Sequence, residues 1–229
     1  METLHNGFTI DHSGSAFPLS TDSMVLADFI RLPKCSTVLD LGSGCGTLGL
    51  LLCAKDPGCT VTGIELDADA HLSALENIRR NGLKDRLFSV CADLRAMPAE
   101  IPTGKFHCVI SNPPYFSGGK ASSRHPTARQ DGSCSISDLF QAAAKHLRYG
   151  GDFFLVHKPE RLAEQMVCGC SNALEPKVLT LVRHRPGSDP GMILLQCRKG
   201  GKPGLRIEEL HLYDSQGLPT EDYRRIYHI

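Results

Sequence analysis

The run Thr37-Val-Leu-Asp-Leu41, followed at once by Gly42-Ser-Gly44-Cys-Gly46 and then by an apolar stretch over 48–54, constrains this chain more than any other segment. A short apolar run bounded by glycines reads as a buried strand, and the stretch beyond it as a helix. A strand, a glycine turn and a helix begin a parallel β–α–β unit, and the following residues repeat the theme. A second strand over 59–64 ends in Glu65, and Asp67 caps a helix running to about Arg80, closed by Asn81-Gly82. A third strand over 87–91 ends in Ala92-Asp93. A fourth, Cys108-Val109-Ile110, is stopped by Asn112-Pro113. Next come a helix over 137–147 ending at Gly150-Gly151, a fifth strand over 153–157 and a helical segment over 161–172. Runs over 178–184 and 192–198 flank Pro186-Gly-Ser-Asp-Pro-Gly191 as an antiparallel hairpin. Strand–helix alternation of this kind predicts a doubly wound α/β sheet with one antiparallel edge.

At 229 residues the chain suits one well-buried domain. We divide it into an N-terminal cap (1–35), a catalytic core (36–199) and a charged tail (200–229). The cap holds a short strand at 8–10 and a helix over 24–31, with Thr21 or Asp22 placed to cap it. Residues 116–133 form a polar loop longer than compact domains usually carry without a function. Lys+Arg and Asp+Glu both number 25, which argues against a pure nucleic-acid-binding module but leaves room for local basic patches. Ten cysteines with no C-x-x-C, and no apolar stretch of signal-peptide or membrane-span length, predict free thiols, no metal site and a cytoplasmic protein.

The chemistry gathers at the strand ends. Gly44-Cys-Gly46-Thr-Leu-Gly49 formally matches a dinucleotide fingerprint, but the fuller pattern is Asp40-x-Gly42-x-Gly44-x-Gly46. An acid at that strand would repel a pyrophosphate and suits the ammonium of a zwitterionic ligand such as S-adenosylmethionine. Glu65, with Leu66 beside it, would hold the ribose; Asp93, with Ala92, the adenine amine. Ser43 and the loop glycines bring backbone N–H groups close to a ligand at a helix N-terminus. At the fourth strand end, Asn112 offers an acceptor oxygen, Pro113 a fixed carbonyl and Tyr115 a flat stacking face, with Pro114 between them. Together these suit a planar group bearing an NH2.

On these motifs the chain resembles class I S-adenosylmethionine-dependent methyltransferases, with Asp40–Gly46 as motif I, Glu65 as the acidic residue and Asn112-Pro-Pro-Tyr115 as motif IV. Within that superfamily it is similar to the bacterial tRNA (adenine-N6)-methyltransferases that modify the adenosine 3′ to the anticodon of valine tRNA. The resemblance includes Thr21-Asp22, Asn112 to Phe116, Ala128-Arg129, His157-Lys-Pro-Glu-Arg161, Lys199-Gly-Gly-Lys-Pro-Gly204 and the tail from Tyr213 to Tyr227. Family members carry an Ala-Arg-His-Glu run where this chain has Ala128-Arg129-Gln130-Asp131. The resemblance implies a Rossmann-like seven-stranded sheet and methylation of an exocyclic adenine amine in RNA. It assigns Thr21, Asp22 and Asn112 to the cofactor side, and Tyr115, Phe116, Arg124 and Arg129 to the substrate.

The alternatives are methylation of ribosomal RNA at adenine N6 or guanine N2, and of a protein glutamine amide, which presents the same NH2. Glutamine methyltransferases carry a larger N-terminal helical domain, whereas about 35 residues precede the first core strand here. A silent partner subunit usually loses motif I or motif IV, and both are intact. Further RNA contacts are expected from Arg183, Arg185, Lys199, Lys202 and Arg206. Oligomeric state is not legible.

Overall fold

In the computed structural model, which describes residues 2–4, 6–11, 19–114 and 134–229, the strands and helices assemble into one eight-stranded sheet covered on both faces. In chain order the first half comprises β1 (Glu2–Thr3), β2 (Thr9–Ile10), α1 (Thr21–Phe29), β3 (Thr37–Leu41), α2 (Thr47–Lys55), β4 (Thr60–Glu65), α3 (Ala68–Arg80), β5 (Leu87–Cys91) and β6 (Phe106–Ser111). The second half comprises α4 (Ile136–His146), β7 (Leu147–His157), α5 (Leu162–Ser171), β8 (Leu174–Arg183), β9 (Pro190–Lys199), β10 (Arg206–His211) and α6 (Glu221–Tyr227). Among the described residues no helix is long and apolar enough to cross a membrane.

The sheet order is β10-β8-β9-β7-β6-β3-β4-β5, with β9 antiparallel to both neighbours and every other pair parallel. The chain grows outward from β3 through β4 to β5, then returns to lay β6 on the other side of β3. The crevice between the carboxyl ends of β3 and β6 is therefore the topological switch point, where open α/β sheets bind ligands.

Strand side chains alternate between two cores, as a pleat requires. Val38, Cys108, Ile110, Phe154 and Leu194 pack with α1, α2 and α6. Leu39, Val109, Phe153, Leu155 and Leu195 face the other way, toward α4 and α5. Each layer is locked by an edge-to-face ring pair: Phe29 on Phe154 at 5.6 Å, and Phe140 on Phe153 at 5.1 Å. Lys55 on α2 donates to the carbonyls of Ala27, Asp28 and Ile30, closing the carboxyl end of α1.

Three expectations change and a fourth is not reached. The sheet has an eighth strand, because the segment assigned to the tail forms β10 alongside β8 and continues into α6, which is tied to α1 by the Arg225–Asp28 ion pair at 3.0 Å. The cap of α1 is Ser20, whose side chain accepts from the Ser23 N–H, and not Thr21 or Asp22, which are already helical. Gly150 and Gly151 sit within β7 and do not end α4; a Cβ on Gly151 would lie 2.9 Å from the His107 carbonyl, so the glycine marks a close strand approach. The expected loop at 116–133 lies outside the described residues.

The short β1–β2 hairpin is pinned to α3 by two asparagines. Asn77, fully buried, accepts from the Asp11 N–H at 2.9 Å and donates to the carbonyls of Asp11 and Cys45, both at 3.1 Å. One side chain thus joins the N-terminal segment, α3 and the glycine loop. Replacing Asn77 with Ala strands one donor and two acceptors, and should lower the unfolding free energy by about 2 kcal/mol in urea titration. A change below about 0.5 kcal/mol would show that this junction carries no stability.

Candidate active site

Gly42, Gly44 and Gly46 give the β3–α2 loop its path, with φ of 75°, 56° and 85°. The Gly42 and Ser43 N–H groups both donate to the Ile64 carbonyl, at 2.9 and 3.1 Å, so the loop leans on the end of β4. Gly63 permits this contact: a Cβ there would fall 2.5 Å from Ser43 Oγ. A Cβ on Gly42 or Gly44 would meet nothing within 4 Å among the described residues, so these leave the outer side of the loop open to a ligand.

Glu65, at the end of β4, is held from both sides. Its Oε2 accepts from Gly44 N–H at 2.7 Å and its Oε1 from Asp67 N–H at 2.8 Å. The carboxylate is thereby oriented, and each oxygen keeps a further lone pair for a ligand hydroxyl. Leu66, the next residue, is 60% exposed and offers an apolar surface beside it.

Asp40 lies inside β3 and is only 1% exposed. Burial, reinforced by the nearby Glu65 charge, pushes its carboxyl up to about 8. Asp40 Oδ1 and Ser43 Oγ are buried without a hydrogen-bond partner among the described residues. Orphaned oxygens of this kind are costly unless a ligand or water completes them, and an ammonium is the matching group for the first.

Asp93 follows β5, where the Ala92 N–H donates to the Glu65 carbonyl at 2.9 Å and so joins the two strand ends. Arg95 grips both Asp93 oxygens, the shortest contact being 2.6 Å, and holds that carboxyl below the usual range. A purine amine approaching Asp93 would share it with Arg95.

Across the crevice, Ser111 Oγ donates to the Leu41 carbonyl at 2.7 Å and ties the end of β6 to the end of β3. Asn112 follows, half-buried; its Nδ2 donates to Ser23 Oγ on α1 at 3.0 Å. Pro113 is buried and Pro114 exposed. Thr21 Oγ1 instead accepts from the Tyr227 hydroxyl at 3.0 Å, and Asp22 stands in the first turn of α1. Tyr115, Phe116, Arg124 and Arg129 lie outside the described residues. The structure thus gathers Asp40, the loop glycines, Ser43, Glu65, Leu66, Ala92, Asp93 and Asn112 at one sheet edge.

Strand direction sorts the basic residues. β8 and β10 run parallel to β7, so Arg183 and Arg185 lie at the same edge as Asn112. Lys199 ends the antiparallel β9, Arg206 begins β10, and Lys202 lies between them, so all three belong to the opposite edge. Lys199 is also occupied, donating to the Ala144 and Leu147 carbonyls. These three therefore stand away from the edge that holds Asn112. Sequence reasoning missed Ser23 and Gly63; a glycine in the interior of a strand was the available signal for the second.

The model of the methyltransferase small domain matches residues 15–175, and the chain belongs to that family. With this fold and site it is a class I methyltransferase whose methyl donor is S-adenosylmethionine. More particularly, it is similar to proteins named tRNA1(Val) (adenine(37)-N6)-methyltransferase. That of Shewanella halifaxensis is 34% identical over 158 residues, which cover 68% of this chain and 64% of that protein. That of Histophilus somni (strain 129Pt) is 30% identical over 223 residues, covering 96% and 92%. Among solved structures, a predicted O-methyltransferase from Agrobacterium tumefaciens superposes with a TM-score of 0.76 at 22% identity, covering 91% of this chain and 96% of that one. Geranyl diphosphate C-methyltransferase from Streptomyces coelicolor, bound to S-adenosyl-L-homocysteine, gives 0.59 at 14%, covering 86% and 94%. Both likenesses concern the fold.

Asp40 supplies a test. Its folded pKa lies above the unfolded value, so its contribution is full at low pH and is lost as pH rises toward about 8. Stability of the free protein should fall across that window, and Asp40→Asn should remove the fall. An ammonium placed on Asp40 should ionise it, so S-adenosylmethionine binding at pH 7 should release protons. Calorimetry in two buffers of different ionisation enthalpy should detect this in the wild type and not in Asp40→Asn. Equal heats for the wild type in both buffers would detach Asp40 from the ligand amine.

Proposed function

We propose that this chain methylates the exocyclic N6 amine of the adenosine at position 37 of tRNA1(Val), the reaction its relatives are named for. The observation that carries the reading is Asn112 at the switch point, directly after β6 and next to the end of β3 from which the glycine loop departs. When bound, S-adenosylmethionine supplies an electrophilic methyl group on a sulfonium. The chain's own residues would do the rest. Adenine N6 is a poor nucleophile because its lone pair is delocalised into the ring. Asn112 Oδ1 and the Pro113 carbonyl would accept its two hydrogens, fix the amine in line with the methyl and draw charge toward nitrogen. As the N–C bond forms and the S–C bond to the sulfonium breaks, the now acidic N6 gives its surplus proton to solvent, so orientation with electrostatic preorganisation suffices without a strong general base.

The base must leave its stack to enter the crevice, and Tyr115 and Phe116 are our candidates to receive it. Arg124 and Arg129 remain proposed phosphate contacts. At the same edge, Arg183 is engaged by Glu209 at 3.2 Å, whereas Arg185 is exposed in the hairpin turn. Next to it His184 begins a row of rings through Tyr213, Tyr223 and Tyr227, with centroids 4.7, 5.1 and 4.3 Å apart. A cationic, aromatic margin beside the site suits single-stranded RNA. An enzyme acting on tRNA would work in the cytoplasm.

Mass-spectrometric nucleoside analysis of cells lacking the gene tests the substrate. N6-methyladenosine should disappear from tRNA1(Val) and persist in ribosomal RNA; the reverse would transfer the activity to the ribosome. Strand direction gives a second test. Arg185→Glu should weaken RNA binding and flatten its salt dependence by about one log–log unit, while Lys202→Glu at the opposite edge should change neither. The opposite pattern would put the RNA on the far side of the sheet.

A further inference from the structure

Asn112 serves the proposed reaction only one way round. A carboxamide has an oxygen end that accepts and an NH2 end that donates, nearly identical in size. Packing cannot distinguish the two rotamers; a hydrogen-bond partner can. With the oxygen toward the crevice, the group accepts from a substrate amine. Turned by half a revolution, it presents two hydrogens to an amine that also carries hydrogens.

We propose that Ser23 is a positioning residue, whose hydroxyl oxygen holds the Asn112 NH2 and thereby turns the carboxamide oxygen toward the substrate. Ser23 Oγ receives the Asn112 Nδ2 at 3.0 Å and is itself only 6% exposed. It also accepts from the Ser20 hydroxyl at 3.3 Å, so both contacts cast the Ser23 oxygen as an acceptor. An oxygen so placed matches the NH2 end of the carboxamide, whereas the reversed rotamer would need the Ser23 hydroxyl hydrogen turned toward Asn112 instead.

Both partners are held firmly. Residues Cys108 and Ile110 face the core layer that contains α1, and the same alternation carries Asn112 to that side of β6. Ser111 fixes the strand end to Leu41 at 2.7 Å. The helix bearing Ser23 is fastened at its start by Tyr227 on Thr21, at its end by Lys55, and along its flank by Arg225 on Asp28. A helix N-terminal to the first core strand thus reaches into the reacting centre, and α6 is the brace behind it.

The inference rests on the acceptor role proposed above for Asn112, so its test separates the two. Ser23→Ala, Asn112→Ala and the double variant are compared in kcat and KM on tRNA, with thermal midpoints recorded. Removing Ser23 should lower kcat about tenfold, as expected for one lost hydrogen bond, and leave the KM for tRNA within about twofold. In the Asn112→Ala background, itself slower by about 10²–10³, the same change should have no further effect. In the free enzyme, the Asn112 side-chain amide signal in a 15N spectrum should move toward that of a solvated amide when Ser23 is removed. An equal loss in both backgrounds, or an unmoved amide signal, would overturn the role of Ser23. Wild-type turnover in Asn112→Ala would instead overturn the acceptor reading, and the amide signal would still decide whether the contact exists.

Discussion

The parallel pairing of β6 with β3 is the constraint on which the rest of the site depends. Val38, Leu39 and Asp40 stand opposite Cys108, Val109 and Ile110. That register places the glycine loop and Asn112 side by side although 70 residues separate Leu41 from Ser111, whose hydroxyl closes the gap between the two strand ends. Because β4 and β5 lie on the other side of β3, the mouth between β3 and β6 is where the strand order reverses. The crevice follows from strand order, and the side chains chosen at its two lips make it chemical.

Within that frame, charge is handled by two different devices. Glu65 is aimed by backbone donors from the glycine loop and the next turn. Asp40, one strand in, has its Oδ1 without a partner among the described residues and is driven toward its neutral form by burial. A site that orients one acid and leaves the other unsatisfied is prepared for a ligand with hydroxyls at one end and a cation at the other. The unsatisfied acid is also a stored instability, of the kind binding sites tolerate because the ligand relieves it.

Much of this was written plainly in the chain. β3 and β5 match their apolar runs to the residue, since buried parallel strands read as continuous hydrophobic segments between glycine and acidic turns. Asp67 was recognisable as a cap because its side chain serves the first turn of its own helix. What escaped was long-range or half-exposed. β10 reads Arg-Ile-Glu-Glu-Leu-His, and Ile207 is 63% exposed while Leu210 is buried, so an edge strand with one wet face looked like a charged tail. The sides taken by Lys199, Lys202 and Arg206 depend on strand direction, which no local pattern encodes. Ser23 meets Asn112 across 89 residues, and nothing in Thr21-Asp22-Ser23 announces a partner beyond a helix start.

The central claim is that one ligand spans the lips of this crevice, with its reactive end delivered to Asn112. A crystal structure with S-adenosyl-L-homocysteine tests it most directly. The account predicts the ribose hydroxyls on Glu65, the amino group on the side of Asp40, the adenine between Leu66 and Asp93, and the sulfur facing the Asn112 carboxamide oxygen. A ligand seated away from the β3–β6 crevice, or one whose sulfur points away from Asn112, would contradict it.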